Sequence, residues 1–183
     1  LPRGMGNIKK FMAEIQKRFC RSCGCTMRLF EENGFTRWSC PDCGTVDYDN
    51  PRPCVTALII RSKRLLLIRR ALDPGAGLWD FPGGFLEKGE TPEQGLSREI
   101  SEELGAQIEN ARLLGFFPDV YGETEIPLLN IVYVCGVRGG ISGNGEEFTE
   151  SGWFEAGSLP EDEDLAFPSM RAILDAWQAQ EAA

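Results

Sequence analysis

Nowhere does the 183-residue chain reach the roughly 18 consecutive apolar residues that a membrane-crossing helix needs. Its N-terminus also lacks the apolar core of a signal peptide, so the chain is expected to be soluble and cytoplasmic, with no membrane partner. An excess of positive charge is missing too. The formal net charge is −9 and the sequence pI is about 4.7. This balance argues against general affinity for nucleic acid or anionic membrane, because both demand a basic face that releases counterions. Internal repeats and low-complexity tracts are likewise absent.

The acid that is present is unevenly spread. Residues 1–53 carry 9 Lys and Arg against 6 Asp and Glu, net +3, whereas residues 54–183 carry 10 against 22, net −12. An acidic catalytic half acting on an anionic substrate requires a bound cation between the two. The length suits one domain of ordinary size plus a small accessory module.

Residues 1–4 read as the remnant of a cleavage linker ahead of a start at Met5 and are set aside. Residues 1–18 then form a tail and a short amphipathic helix, with Ile8, Phe11, Met12 and Ile15 at helical spacing over 7–18. Residues 19–46 are rich in Cys and Gly with little apolar periodicity, so they need a staple in place of a core. The turn-rich DYDNPRP at 47–53 is a linker, and residues 54–183 form the main domain. There, VTALII (55–60) and RLLLIRR (64–70) read as a hairpin of two buried strands joined by a short turn. Further strands are expected at 111–118, 129–137 and 151–155, and a final helix at 168–181.

Seven cysteines is an odd number, and four of them fall in two C-x-x-C units. In a reducing compartment this points to metal and away from a disulfide framework. Cys20 and Cys23 are separated from Cys40 and Cys43 by 16 residues, within the window of a four-cysteine zinc site. Four thiolates close the Zn²⁺ tetrahedron, so this ion is structural. Cys54 and Cys135 read as buried packing residues. The +3 excess, with no clustered basic stripe, leaves the module to cover the main domain, support a homodimer or build part of a substrate pocket.

Thr91-Pro92-Glu93-Gln94 is a helix start, with Thr as N-cap, Pro at the first helical position and Gln completing a capping box, and Gly105 supplies the stop. On the helix between them Glu99, Glu102 and Glu103 stand at i, i+3 and i+4, so their carboxylates gather on one side. Only Arg98 offers a nearby cation. Such a cluster needs either solvent or a metal, and carboxylate oxygens suit Mg²⁺ or Mn²⁺.

From Gly84 the sequence runs G-FLEKG-E-TPEQGLS-RE-I-S-EE-L-G-A, which fits G-x5-E-x7-R-E-U-x-E-E-x-G-U at all nine fixed positions over 23 residues, U being apolar. This resembles the Nudix box. The resemblance implies an α/β fold, a Nudix α/β/α sandwich with a mixed sheet, here preceded by a small four-cysteine zinc ribbon. It implies Glu99, Glu102 and Glu103 as Mg²⁺ ligands or water-activating carboxylates, with a Gly83 carbonyl as a further ligand and Glu90–Arg98 as an internal ion pair. The base is either a box glutamate or one on a distal loop, where Glu147 and Glu150 are the candidates. Either Arg69 or Arg70 stands where the family often places a substrate-binding arginine. Phe116, Phe117, Tyr121 and Phe148 are candidates for stacking on an adenine or flavin ring, set against an ordinary core role.

The implied reaction is Mg²⁺-dependent hydrolysis of a pyrophosphate bond in a nucleoside diphosphate derivative, giving two monophosphates. The S-Q-P-W-P-F-P stretch of NADH pyrophosphatases does not follow the box. The order of ribbon, box and a closing LAFPSM (165–170) instead looks like FAD/ADP-ribose-type pyrophosphatases. ADP-ribose, FAD or a similar dinucleotide is therefore the expected substrate. NADH or nucleoside triphosphate hydrolysis is the alternative within the class, and an inactive ligand sensor or nucleic-acid-binding regulator the alternative outside it.

Overall fold

The computed structural model describes residues 17–124, 126–142 and 146–181. All but the last two residues of the expected helix at 7–18 lie outside that range. The chain divides into two compact units, Leu1–Asn50 and Pro51–Ala183.

In the first unit, β1 (Arg28–Glu32), β2 (Phe35–Ser39) and β3 (Val46–Asp47) form an antiparallel sheet in that order. Asn33 and Gly34, at φ 51° and 82°, make the two-residue turn between β1 and β2, since Asn and Gly tolerate the left-handed backbone that matches strand twist. The only buried apolar cluster among the described residues here is Cys20, Met27 and Cys40, with Cys25 and Trp38 against it. So small a core cannot by itself offset the entropy of ordering the segment.

The second unit is built on a seven-stranded mixed sheet. Its strands are β4 (Arg52–Arg61), β5 (Arg64–Arg70), β6 (Trp79–Asp80), β7 (Gly83–Phe85), β8 (Gln107–Val120), β9 (Pro127–Arg138) and β10 (Phe148–Glu155). The order is β10-β5-β4-β9-β8, with β6 on β5 and β7 on β4. The β4–β9 pair is parallel and the other pairs are antiparallel. β4 and β5 pair only near their turn, at Ile60↔Leu65 and Arg61↔Arg64. Beyond it they part, and β6 and β7 fill the opening, which sets the loop between the two into the sheet.

Alternation along the strands gives the sheet two apolar faces. Ala57, Ile59, Leu66 and Ile68 point to one side, where α1 (Pro92–Leu104) lays down Leu96, Ile100 and Leu104. Leu58, Leu65, Leu67, Val132 and Val134 point to the other, where α2 (Ser169–Glu181) contributes Met170, Ile173, Leu174 and Trp177. The result is the expected α/β/α sandwich. Cys54 and Cys135 are both buried. The observed strands extend beyond the expected spans at 111–118 and 151–155. The short β6 and β7, and the ribbon strands, carried no periodic signal.

Candidate active site

The helix α1 begins as its sequence dictates. The Thr91 side chain accepts from the Gln94 N–H, Gln94 answers on the Thr91 N–H at 2.9 Å, and Gly105 closes the helix in the left-handed region at φ 62°. This fixes the rotation of the helix, and with it the direction of the glutamates.

Glu103 is buried, and its Oε2 accepts from the Gly83 N–H at 2.9 Å. Gly83, at φ 143°, lies so close to β4 that a Cβ would fall 2.1 Å from the Val55 carbonyl oxygen. A Cβ on Gly84 would fall 2.5 Å from Glu99 Oε1. These two glycines let the loop pass between the strand and the helix carboxylates.

Arg98 ties the rest together. It donates through Nε and Nη2 to the two Glu90 oxygens at 2.7 and 3.0 Å, through Nη1 to Glu99 at 2.9 Å and Glu102 at 3.1 Å, and through Nη2 to the Phe85 carbonyl at 3.0 Å. Arg98 and the Glu87 N–H hold Glu90 down at about 2. Burial pushes Glu103 up to about 9, against the Gly83 N–H, with the charges of Glu147 and Glu99 adding to the rise. Burial also raises Glu99, opposed by Arg98. Burial thus opposes the charge of both carboxylates.

The distal candidates separate. Glu147 is exposed, and its charge bears on both Glu99 and Glu103. Its carbonyl accepts from the Ala71 N–H at 2.9 Å, which anchors that end of the loop to the chain leaving β5. Glu150 instead pairs with Arg69 at 2.9 Å. No histidine occurs in the chain, so no imidazole is available near neutral pH.

Arg69 and Arg70 diverge as neighbours on a strand must. Arg69 turns to Glu150, the Gly77 carbonyl and the face of Trp79. Arg70 pairs with Asp80 at 2.7 Å and lines a cleft of about 540 Å³, measured out to its open mouth. Gly83, Gly84 and Phe85 of the box loop line the same cleft, as do Tyr121 and Phe167, whose rings lie 19° from parallel with centroids 6.1 Å apart. Of the four aromatic candidates Tyr121 reaches this cleft. Phe148 is buried against the α1 side of the sheet, Phe117 packs on the α2 side, and Phe116 is exposed away from the cleft. Asp80, Asp119, Asn130 and Phe167 were not singled out from sequence. Phe167 lies in the LAFPSM segment, which was the one available signal.

In the ribbon, Cys20, Cys23, Cys40 and Cys43 bring their sulfurs within 4.8 Å of one another, and among the described residues they are the only His, Cys, Asp or Glu set gathered that closely. Sulfur separations of 3.4 to 3.6 Å approach the roughly 3.8 Å edge of a tetrahedron with 2.3 Å zinc–sulfur bonds. The Gly24 and Gly44 N–H groups turn back to the Cys20 and Cys40 carbonyls, giving both C-x-x-C units the same knuckle. The Ser22 N–H lowers Cys20, and the Thr45 hydroxyl and N–H lower Cys43. Cys23 feels the lowering pull of the Cys25 N–H, but its Cys40 and Cys43 neighbours outweigh it and push it up to about 12. Four cysteine sulfurs at this spacing are compatible with a bound zinc ion.

The family described as NUDIX domain matches residues 50–176. An ADP-ribose pyrophosphatase of Methanocaldococcus jannaschii is 34% identical over 128 residues, covering 70% of this chain and 74% of the relative. An NAD-capped RNA hydrolase NudC of Vibrio atlanticus is 29% identical over 145 residues, 79% of this chain but 51% of the relative, so the chain spans about half the length of that protein. Among solved structures, a NUDIX hydrolase from Nitrosomonas europaea has a TM-score of 0.65 at 29% identity and covers 88% of each chain. A MutT NUDIX hydrolase from Burkholderia pseudomallei has a TM-score of 0.64 at 32% identity, over 69% of this chain and 98% of that one.

Proposed function

Because this chain belongs to the NUDIX domain family, we propose that it is a Mg²⁺- or Mn²⁺-dependent pyrophosphohydrolase acting on ADP-ribose, FAD or a similar dinucleotide. The observation that carries the reading is the buried Glu103 carboxylate, bonded to the Gly83 N–H and flanked by Glu99. An oxygen-only donor set whose charge is opposed by burial fits a hard divalent cation.

Glu99, Glu102, Glu103 and the Gly83 carbonyl are the groups assigned to hold it. When bound, such an ion neutralises the diphosphate oxygens and lowers the pKa of an attacking water. The chain's own residues do the rest. Arg98 pairs with Glu90 and Glu99 and holds the box loop against the helix through the Phe85 carbonyl. Glu147, whose charge is felt at Glu99 and Glu103, is the assigned base, taking the proton of the attacking water. Arg70, which lines the cleft and pairs with Asp80, is the assigned substrate-binding arginine. Attack at one phosphorus releases two monophosphates.

Structural Zn²⁺ in the ribbon, held by Cys20, Cys23, Cys40 and Cys43, belongs to the same reading. A homodimer and a location in the cytoplasm complete it.

The test is a panel of ADP-ribose, FAD, NADH and ATP, each with Mg²⁺ and with excess chelator, followed by quantification of nucleoside monophosphate and its partner product. Equimolar monophosphates from ADP-ribose or FAD, lost on chelation, are the expected result. Turnover undiminished by chelator would overturn the cation assignment, and release from ATP alone would overturn the dinucleotide assignment.

A further inference from the structure

Arg69 and Glu150 have no part in the hydrolysis, although each stands beside a group that has one: Arg69 precedes Arg70, and Glu150 lies three residues after Glu147. Arg69 Nε donates to Glu150 Oε2 at 2.9 Å across the pair of β5 and β10. Its Nη1 donates to the Gly77 carbonyl at 2.6 Å, and its Cζ lies 4.3 Å from the centroid of the buried Trp79 ring. A guanidinium held on three sides by the protein is poorly placed to follow a substrate, but well placed to hold a strand.

The pair sits on an irregularity of the sheet. Phe148 is opposite Arg70 and Glu150 is opposite Arg69, so Thr149 is one residue too many for β10. Opposed residues of an antiparallel pair share a face, and an extra residue moves what precedes it to the other face. Glu150 lies with Arg69 and Trp79 on the α2 side, while Phe148 is buried on the α1 side. The bulge thus carries the end of the preceding loop, with Glu147, toward the face where α1 holds Glu99 and Glu103, both of which feel the Glu147 charge. Two further bonds hold it there: the Thr149 hydroxyl donates to the Arg69 carbonyl at 3.4 Å, and the Ala71 N–H to the Glu147 carbonyl at 2.9 Å. A slip of one residue would turn this end of β10 over.

We propose that Arg69 and Glu150 are positioning residues for the hydrolysis: their pair locks the β10 bulge and so aims Glu147 at the attacking water. Neither touches the reacting atoms. The proposal rests on the pyrophosphohydrolase reading with Glu147 as its base. A partly exposed ion pair adds little to stability, whereas a small misplacement of a base is costly in rate, so the lock shows in turnover before it shows in unfolding.

The experiment joins steady-state kinetics of the full chain on ADP-ribose and FAD to amide exchange at Ala71, whose N–H reports the Glu147 carbonyl with or without turnover. Arg69→Gln and Glu150→Gln should each lower kcat at least about ten-fold with KM changed less than about two-fold, and the double variant should be no slower than the worse single one. In each, the Ala71 amide should exchange at least about ten-fold faster while the amides of β4 keep their rates. Added to Glu147→Gln, Arg69→Gln should cost less than about two-fold, because no base is left to aim. A rise in KM at unchanged kcat would overturn the proposal, since Arg69 would then hold substrate. So would unchanged kcat or unchanged Ala71 exchange in a folded variant, a full loss on the Glu147→Gln background, or near-normal turnover of Glu147→Gln itself. Should Arg69→Gln fail to fold, Glu150→Gln, altered on the more exposed side of the pair, decides the matter. A chain that cleaves no dinucleotide but whose variants lose Ala71 protection refutes the pyrophosphohydrolase reading and not the lock, and cleavage with Ala71 protection undisturbed refutes the lock alone.

Discussion

Arg98 donates to Glu90, Glu99, Glu102 and the Phe85 carbonyl at once, a load that suits the planar fork of a guanidinium and that a lysine ammonium cannot span. Arg98→Lys is accordingly expected to lower kcat by at least about ten-fold with the fold intact, as steady-state kinetics and circular dichroism would show. Glu102→Gln and Glu103→Gln each remove an assigned ligand charge and should lower turnover by about two orders of magnitude or more. Near-normal turnover in either would remove that residue from the cation set. Glu90 has a separate pH signature. Its native pKa of about 2 lies below the ordinary 4.5, so between those values the unfolded chain binds a proton that the native chain refuses. The stabilisation from the pair is whole above about pH 4.5 and gone below about pH 2. Glu90→Gln should therefore flatten the acid limb of a stability–pH curve, and an unaltered limb would show that the pair does not set it.

At the scale of the element, α1 was legible almost residue by residue. Thr91, Pro92, Gln94 and Gly105 each act through local hydrogen bonds or backbone preference, and local chemistry is what a sequence displays. Thr91→Ala should cost about 1 kcal/mol in denaturant unfolding, the usual worth of an N-cap. A loss near zero would mean that packing of Leu96, Ile100 and Leu104 alone sets the helix start. Strand β5 was also read to its ends, because seven apolar and basic residues between two turns leave little choice. The two- and three-residue strands β6 and β7 were invisible, since no period can be read from so few positions. The ribbon strands β1 and β2 escaped for another reason: with most side chains exposed they carry no alternation.

Across the whole molecule, the box was readable because its residues lie within 23 positions, and the cleft was not, because Arg70, Asp119 and Ser169 come from three distant elements. The two units also divide the stability between them. Pro51–Ala183 has a core on each face of its sheet, whereas the ribbon has little beyond its sulfurs. Freshly purified protein should hold about one zinc per chain by elemental analysis, and stripping it should abolish amide protection in residues 19–46 while that of β4, β5 and β9 persists. Exchange rates unchanged by stripping would count against a structural ion.

The parallel pairing of β4 with β9 reaches further than architecture. It joins Cys54 to Asn130, 76 positions apart, whereas the neighbouring hairpin of β4 and β5 closes over two residues. Closing the longer loop costs more chain entropy before any contact compensates it, so this pair belongs to the late part of folding. Thr56, Asn130 and Gly83 meet only once it has formed. A nascent or refolding chain thus acquires its hairpins and its box helix before it can recognise a nucleotide, and capture of ligand reports the completed fold.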